Sequence, residues 1–147
     1  MGAKLEEGPE SLTIHPSSLH GIRIDASDCP DLVPILSVAA ALAKGTTEII
    51  HAERLRLKEC DRLKAMASEL TKMGAHVEER PDGLIIRGVP MLHGAGADSW
   101  NDHRVAMSLA IAATRSDGPV ILTGSESVQK SYPQFWQDYE SLGGKIK

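Results

Sequence analysis

The chain has 147 residues, of which 41% are apolar and 24% charged, with a net charge of −4. That composition fits a single globular unit with a real core. It excludes a general attraction to nucleic acid or an anionic membrane, and no apolar run reaches the roughly 18 residues of a membrane span.

A strand over residues 3–8, a turn at Gly8-Pro9-Glu10-Ser11 and a strand over 11–15 predict a hairpin. An extended segment comes next, at 21–26. A helix is predicted over 30–44, with Ser27 or Asp28 as cap, Pro30 in its first turn and Gly45 just past its end. Its residues are apolar nearly all round, which predicts burial. Strand 46–51 then leads to a helix over 59–72, where Leu63, Met66, Ala67 and Leu70 form a stripe facing the core.

The pattern then repeats. Met1 to Pro16 (MGAKLEEGPESLTIHP) matches Met73 to Gly88 (MGAHVEERPDGLIIRG), an offset of 72 residues, and the turn of the second copy is the stronger Pro-Asp-Gly signal. An extended segment is expected at about 91–98, a helix over 103–115, a strand over 119–123 and a helix over 133–142. Phe135, Trp136 and Tyr139 anchor that last helix, and Leu142 to Lys147 (LGGKIK) reads as the start of a third copy. The unit is too long for a small solenoid repeat, so it is a supersecondary module used more than once, with boundaries near 72/73 and 141/142. Met1-Gly2-Ala3 aligns with the segment that closes one helix and opens a strand. The chain therefore reads as a piece of a larger repeat array, the alternative being a native start.

Charged residues gather at one recurring place, the loop from strand to helix. Asp31 lies in the first of these loops, Lys58, Glu59 and Arg62 in the second, His103 and Arg104 in the third, and Lys130 in the fourth. Helix N-termini favour anions, and such loops share one face in α/β folds. Four cations (Lys58, Arg62, Arg104, Lys130) and two carboxylates (Asp31, Glu59) converging there would hold a multiply charged small molecule and supply acid and base groups. Each residue also has a plainer reading. Glu59 and Arg62 fit a surface pair at i, i+3, Asp31 a first-turn acid, Arg104 a partner of Asp102, Lys130 a solvated lysine and His103 a cap or packing residue. Arg54 and Arg56 alternate along an extended stretch and face one side, while Asp61 and Lys64 belong to the solvated face. The six histidines lack metal-ligand spacing. Cys29 and Cys60 form no CxxC pair and read as free thiols of a reducing cytoplasm.

The segments SDCPDLVP, RLRLKECDRL, NDHRVAM and KSYPQFW, in this order, resemble the C-terminal part of the 3-phosphoshikimate 1-carboxyvinyltransferase (5-enolpyruvylshikimate-3-phosphate synthase) family. The resemblance implies an inside-out α/β barrel of repeated βαβαββ units. Residues 1–147 would supply about two of the three units of one domain, with the active site in the cleft between two domains. It implies transfer of the enolpyruvyl group of phosphoenolpyruvate to the 5-hydroxyl of shikimate 3-phosphate, without a cofactor or metal. By position, Asp31 would be a base near the accepting hydroxyl. Lys58 would contact shikimate 3-phosphate, and Glu59 would be an acid/base group near the phosphoenolpyruvate methylene. Arg62 and Arg104 would bind the carboxylate of phosphoenolpyruvate, Lys130 would lie on its phosphate side, and Arg54 is a possible substrate contact. Cys60 is given no role. The related UDP-N-acetylglucosamine enolpyruvyl transferase ranks second, and a non-catalytic anion-binding module third. The implied partners are the two substrates and the rest of the same enzyme. The 147 residues alone are expected to be inactive and, with an apolar face uncovered, to self-associate or be marginally stable.

Overall fold

A computed structural model describes residues Met1–Lys147. Its strands are β1 (Lys4–Glu7), β2 (Leu12–His15), β3 (Arg23–Asp25), β4 (Thr46–Ile50), β5 (His76–Arg80), β6 (Gly83–Arg87), β7 (Gly96–Asp98) and β8 (Ile121–Thr123). Its helices are α1 (Val33–Ala41), α2 (Arg62–Lys72), α3 (His103–Ala113) and α4 (Phe135–Ser141). None is long and apolar enough to cross a membrane.

The repeat of the sequence is a repeat of structure. The antiparallel hairpin β1/β2, which pairs Leu5 with Ile14, corresponds to β5/β6, which pairs Val77 with Ile86. The parallel pair β3/β4 corresponds to β7/β8, with Asp25 opposite Ile50 and Asp98 opposite Thr123. In the middle of the chain the pieces join into a four-stranded sheet ordered β3-β4-β6-β5. Met66, Leu70 and Met73 on and just after α2 and Leu84 and Ile86 on β6 share one core, which α1 enters through Val33, Val38, Ala40 and Ala41. The near-uniform apolarity of α1 reflects contact with α2, α3 and the sheet together. Hairpin β1/β2 lacks such cover. Leu12 and Ile14 are 55% and 69% exposed, whereas their counterparts Leu84 and Ile86 are fully buried.

Several element boundaries differ from expectation, each for a local reason. The helix expected over 30–44 is a 3-10 turn at Pro30–Leu32 followed by α1. Neither Ser27 nor Asp28 caps it, because Ser27 donates from both its amide and its hydroxyl to Asp25 Oδ1. The helix expected from residue 59 starts at Arg62, since Asp61 is its N-cap and accepts from the Lys64 amide at 3.0 Å. Arg54 and Arg56 lie in a 3-10 turn, Glu53–Leu57, and not on an extended segment. The helix expected over 133–142 shortens to α4, with a 3-10 turn at Ser125–Lys130 ahead of it.

Candidate active site

The site is built where the entrances of three helices meet. Asp102 ends the loop before α3 and is its N-cap. Its Oδ1 accepts from the amides of Arg104 (2.8 Å) and Val105 (3.3 Å), which satisfies donors that a helix start leaves free. The other oxygen, Oδ2, accepts from Arg62 Nε at 2.8 Å. Arg62 is the first residue of α2, and its side chain is only 2% exposed. It survives burial because each of its three nitrogens meets a different carboxylate: Nε meets Asp102, Nη1 meets Asp31 Oδ1 at 2.8 Å, and Nη2 meets Glu59 Oε2 at 2.7 Å. The planar guanidinium fork suits this arrangement, which a single ammonium could not reproduce.

Asp31, in the 3-10 turn before α1, collects the remaining cations. Lys58 Nζ lies 3.3 Å from its Oδ1, and Arg104 lies 3.4 Å from its Oδ2 and also from its main-chain oxygen. Burial pushes the Asp31 carboxyl up, but Arg104, Lys58 and Arg62 outweigh it and hold the group below the usual 3.8. Asp31 is therefore ionised at neutral pH. Its side chain and that of Glu59 are 44% and 40% exposed, so both face open space. Beside Asp31 a groove of about 230 Å³ runs between α1 and α3, bounded by Asp31, Arg104, Ile35 and Met107. A larger hollow of about 380 Å³, near His76 and Arg87, holds none of the expected site residues.

Asp31, Lys58, Glu59, Arg62 and Arg104 thus converge. Lys130 comes to the same helix entrance by another route: its ammonium donates to the side-chain oxygen of Asn101, at 2.8 Å, and to the main-chain oxygen of the same residue. Arg54 makes no ion pair. Arg56 turns away and ties Glu79, Arg80 and Pro81 at the β5/β6 turn to Asp61 at the start of α2, so it does not share a face with the site. Asp61 is a cap and an ion-pair partner, not a solvated face. Arg104 does not pair its guanidinium with Asp102; only its amide does so. Glu59 and Arg62 do form the i, i+3 pair, but with the arginine buried. His103 packs, 7% exposed, with Nδ1 unpartnered. Two residues were missed from sequence. Asp102 was legible as a cap from the motif NDHR, but not as the partner of Arg62. Asn101 carried no signal at all.

Four cations and three carboxylates, Asp31, Glu59 and Asp102, leave the cluster with a net charge of +1. Cys60 sits beside it, its Sγ 3.8 Å from Asp102 Oδ2, and its thiol is pushed up to about 12 by burial and by that carboxylate.

Residues 1–139 match the family model described as EPSP synthase (3-phosphoshikimate 1-carboxyvinyltransferase). A curated 3-phosphoshikimate 1-carboxyvinyltransferase of Clostridium novyi is 58% identical over 146 residues, covering 99% of this chain and 34% of the relative. That of Clostridioides difficile is 55% identical over 132 residues, covering 88% and 30%. The solved EPSP synthase of Acinetobacter baumannii superposes with a TM-score of 0.86 at 32% identity, over 99% of this chain and 37% of that one. The chain thus spans about a third of the length of the relatives it matches.

Proposed function

The chain belongs to the EPSP synthase (3-phosphoshikimate 1-carboxyvinyltransferase) family, and on that premise we propose that the protein containing it transfers the enolpyruvyl group of phosphoenolpyruvate to the 5-hydroxyl of shikimate 3-phosphate. In this reading the hydroxyl oxygen bonds to C2 of phosphoenolpyruvate while C3 gains a proton. The resulting tetrahedral adduct then loses phosphate and the C3 proton, restoring the double bond. The single observation that carries the reading is the buried Arg62 fork, which aligns two outward-facing carboxylates, Asp31 and Glu59, beside Lys58 and Arg104. Asp31 is the base for the hydroxyl proton and Glu59 the group that serves C3. Lys58 meets shikimate 3-phosphate, Arg104 and Lys130 meet phosphoenolpyruvate, and Arg62 joins them once substrate draws Glu59 aside from its Nη2.

The electrostatics give Asp31 a conditional basicity. Without substrate, three cations hold its carboxyl low and make it a poor proton acceptor. Once substrate anions engage Lys58 and Arg104, that hold weakens and the carboxylate becomes a better base. Each substrate carries one phosphate and one carboxylate, more negative charge than a net +1 cluster can balance. Further cations therefore come from the rest of the longer protein, and the 147 residues alone are inactive. The open face of hairpin β1/β2 is covered by the same remainder, and without it the chain self-associates. The free thiols Cys29 and Cys60 fit a cytoplasmic enzyme.

The test is phosphate release by the purified full-length protein from phosphoenolpyruvate and shikimate 3-phosphate, with the enolpyruvyl ether identified by NMR. Transfer to UDP-N-acetylglucosamine instead would assign the sibling activity. Binding of phosphoenolpyruvate without turnover, unaffected by Asp31→Ala and Glu59→Ala, would reduce the protein to an anion-binding module.

A further inference from the structure

Glu69 is a fully buried carboxylate with no part in the chemistry proposed for the substrates. It lies on α2, and besides its neighbour Lys72 its hydrogen-bond donors come from the end of β7 and the loop that follows it into α3. Oε1 accepts from the indole N–H of Trp100 at 2.9 Å, and Oε2 accepts from the amide of Asp98 at 3.0 Å. Lys72 bridges both oxygens at 2.8 Å and balances the charge.

The loop so held has an uncommon backbone. Trp100 and Asn101 are consecutive and both left-handed, each with φ of 54°. Asn tolerates that region, but for a bulky residue such as Trp it is an outlier that persists only when its surroundings over-determine it. The surroundings do so here. Asp98 Oδ1 accepts the Trp100 amide, and Ser99 Oγ accepts the Asn101 amide at 3.1 Å. Ser99 itself is locked by the hydrogen bond that its amide donates to the Thr123 carbonyl (3.0 Å) and by the bare face of Gly124, where a Cβ would sit 2.3 Å from Ser99 Oγ.

This strained turn delivers two adjacent residues. Asn101 presents its main-chain and side-chain oxygens together to the Lys130 ammonium, leaving it one free N–H. Asp102 presents Oδ2 to Arg62. If Trp100 or Asn101 relaxed to a right-handed or extended conformation, the direction of both presentations would change. We propose that Glu69 is a positioning residue: acting through Trp100, it holds the Trp100–Asn101 turn in the left-handed form that sets Lys130 and Arg62 in fixed relation to each other. This rests on the proposed function, in which those two cations face phosphoenolpyruvate and Lys58 faces shikimate 3-phosphate. A chain with a merely structural Glu69 would lose stability alone, whereas a positioning Glu69 controls one substrate more than the other.

The experiment compares Glu69→Gln and Trp100→Phe with wild type, both in the full-length protein. Trp100→Phe removes the N–H that Glu69 accepts, along with part of the ring, but leaves the Glu69 carboxylate and its bonds to Lys72 and the Asp98 amide in place, so it keeps the test open if Glu69→Gln folds poorly. Both single variants should raise KM for phosphoenolpyruvate about tenfold and leave KM for shikimate 3-phosphate within about twofold. A fall in melting temperature with both KM values unchanged, or an equal rise in both, overturns the proposal. A crystal structure of Trp100→Phe gives an answer that does not depend on turnover: residue 101 should leave the left-handed region and separate from Lys130, and an unmoved turn overturns the idea. Wild-type protein that fails to transfer the enolpyruvyl group would sink the proposed function, while the geometry of the variant turn would still decide the role of Glu69.

Discussion

Replacing Arg62 by lysine keeps the charge and removes the fork, which isolates what the fork does. In the wild type, three nitrogens reach three carboxylates at 2.7–2.8 Å. A lysine ammonium is a single point at the end of a shorter head group and can stay with one of them. Asp102 is fully buried, and without Arg62 the remaining hydrogen-bond partner of its Oδ2 is the Cys60 thiol at 3.8 Å. Losing two charge-assisted hydrogen bonds of about 1.5–3 kcal/mol each gives about 3–6 kcal/mol, and orphaning a buried charge independently suggests about 3–5 kcal/mol. Either is a large part of the roughly 5–15 kcal/mol that holds a typical domain together. The measurement is urea unfolding of full-length wild type, Arg62→Lys, Asp102→Asn and the double variant, compared at equal m-values. The double variant should cost less than the sum of the singles by at least about 1 kcal/mol, because Asn at 102 removes the stranded charge while Oδ1 still caps α3. A loss of under about 1 kcal/mol for Arg62→Lys, or strict additivity in the cycle, would mean that the buried fork contributes little and that the convergence of the three loops has another cause.

Cys60, with its thiol pushed up to about 12, should react with iodoacetamide at pH 8 roughly a thousandfold more slowly than an ordinary thiol with a pKa of about 8.5, and Asp102→Asn should speed it; mass spectrometry that finds Cys60 alkylated at the rate of a free thiol refutes this. Asp25, held at about 2 by the Ser27 amide and hydroxyl and then by His51, should show that midpoint in a carboxyl NMR titration. Ser27→Ala, which removes the hydroxyl but keeps the amide, and His51→Ala should each move it upward, and a midpoint that moves in neither variant refutes this. The isolated 147-residue chain should self-associate with rising concentration in sedimentation experiments, and Leu12→Ser/Ile14→Thr should shift it toward monomer. A monodisperse wild-type monomer would show that the open hairpin face is tolerated.

Much of the architecture was legible because it is periodic. The internal repeat placed hairpin, helix and strand twice, and the structure pairs Leu5 with Ile14 and Val77 with Ile86 in matching register. The departures came at helix entrances, where several polar residues compete for the same free amides. Ser27 bonds back to Asp25, which removes it as a cap, whereas Asp61 captures the Lys64 amide and delays α2 by three residues beyond the expected start at 59. Local spacing does not rank such competitors, because their relative strength depends on the φ and ψ that the chain adopts there.

The identity of the charged groups at the strand-to-helix loops was written in the sequence, since local chemistry and module position are one-dimensional information. Their partners were not. Arg62 lies 40 residues from Asp102 and 31 from Asp31, and in isolation the pair with Glu59 alone was the plain expectation. Only the packing of α1, α2 and α3 brings those loops to one point and buries the arginine. Burial is what converts a weak surface pair into a partner that must be satisfied on every side. The same holds for Asn101 and Glu69: neither residue type announces a role. Each acquires one because the folded backbone turns left-handed at Trp100, which aims Asn101 at Lys130 and Asp102 at Arg62.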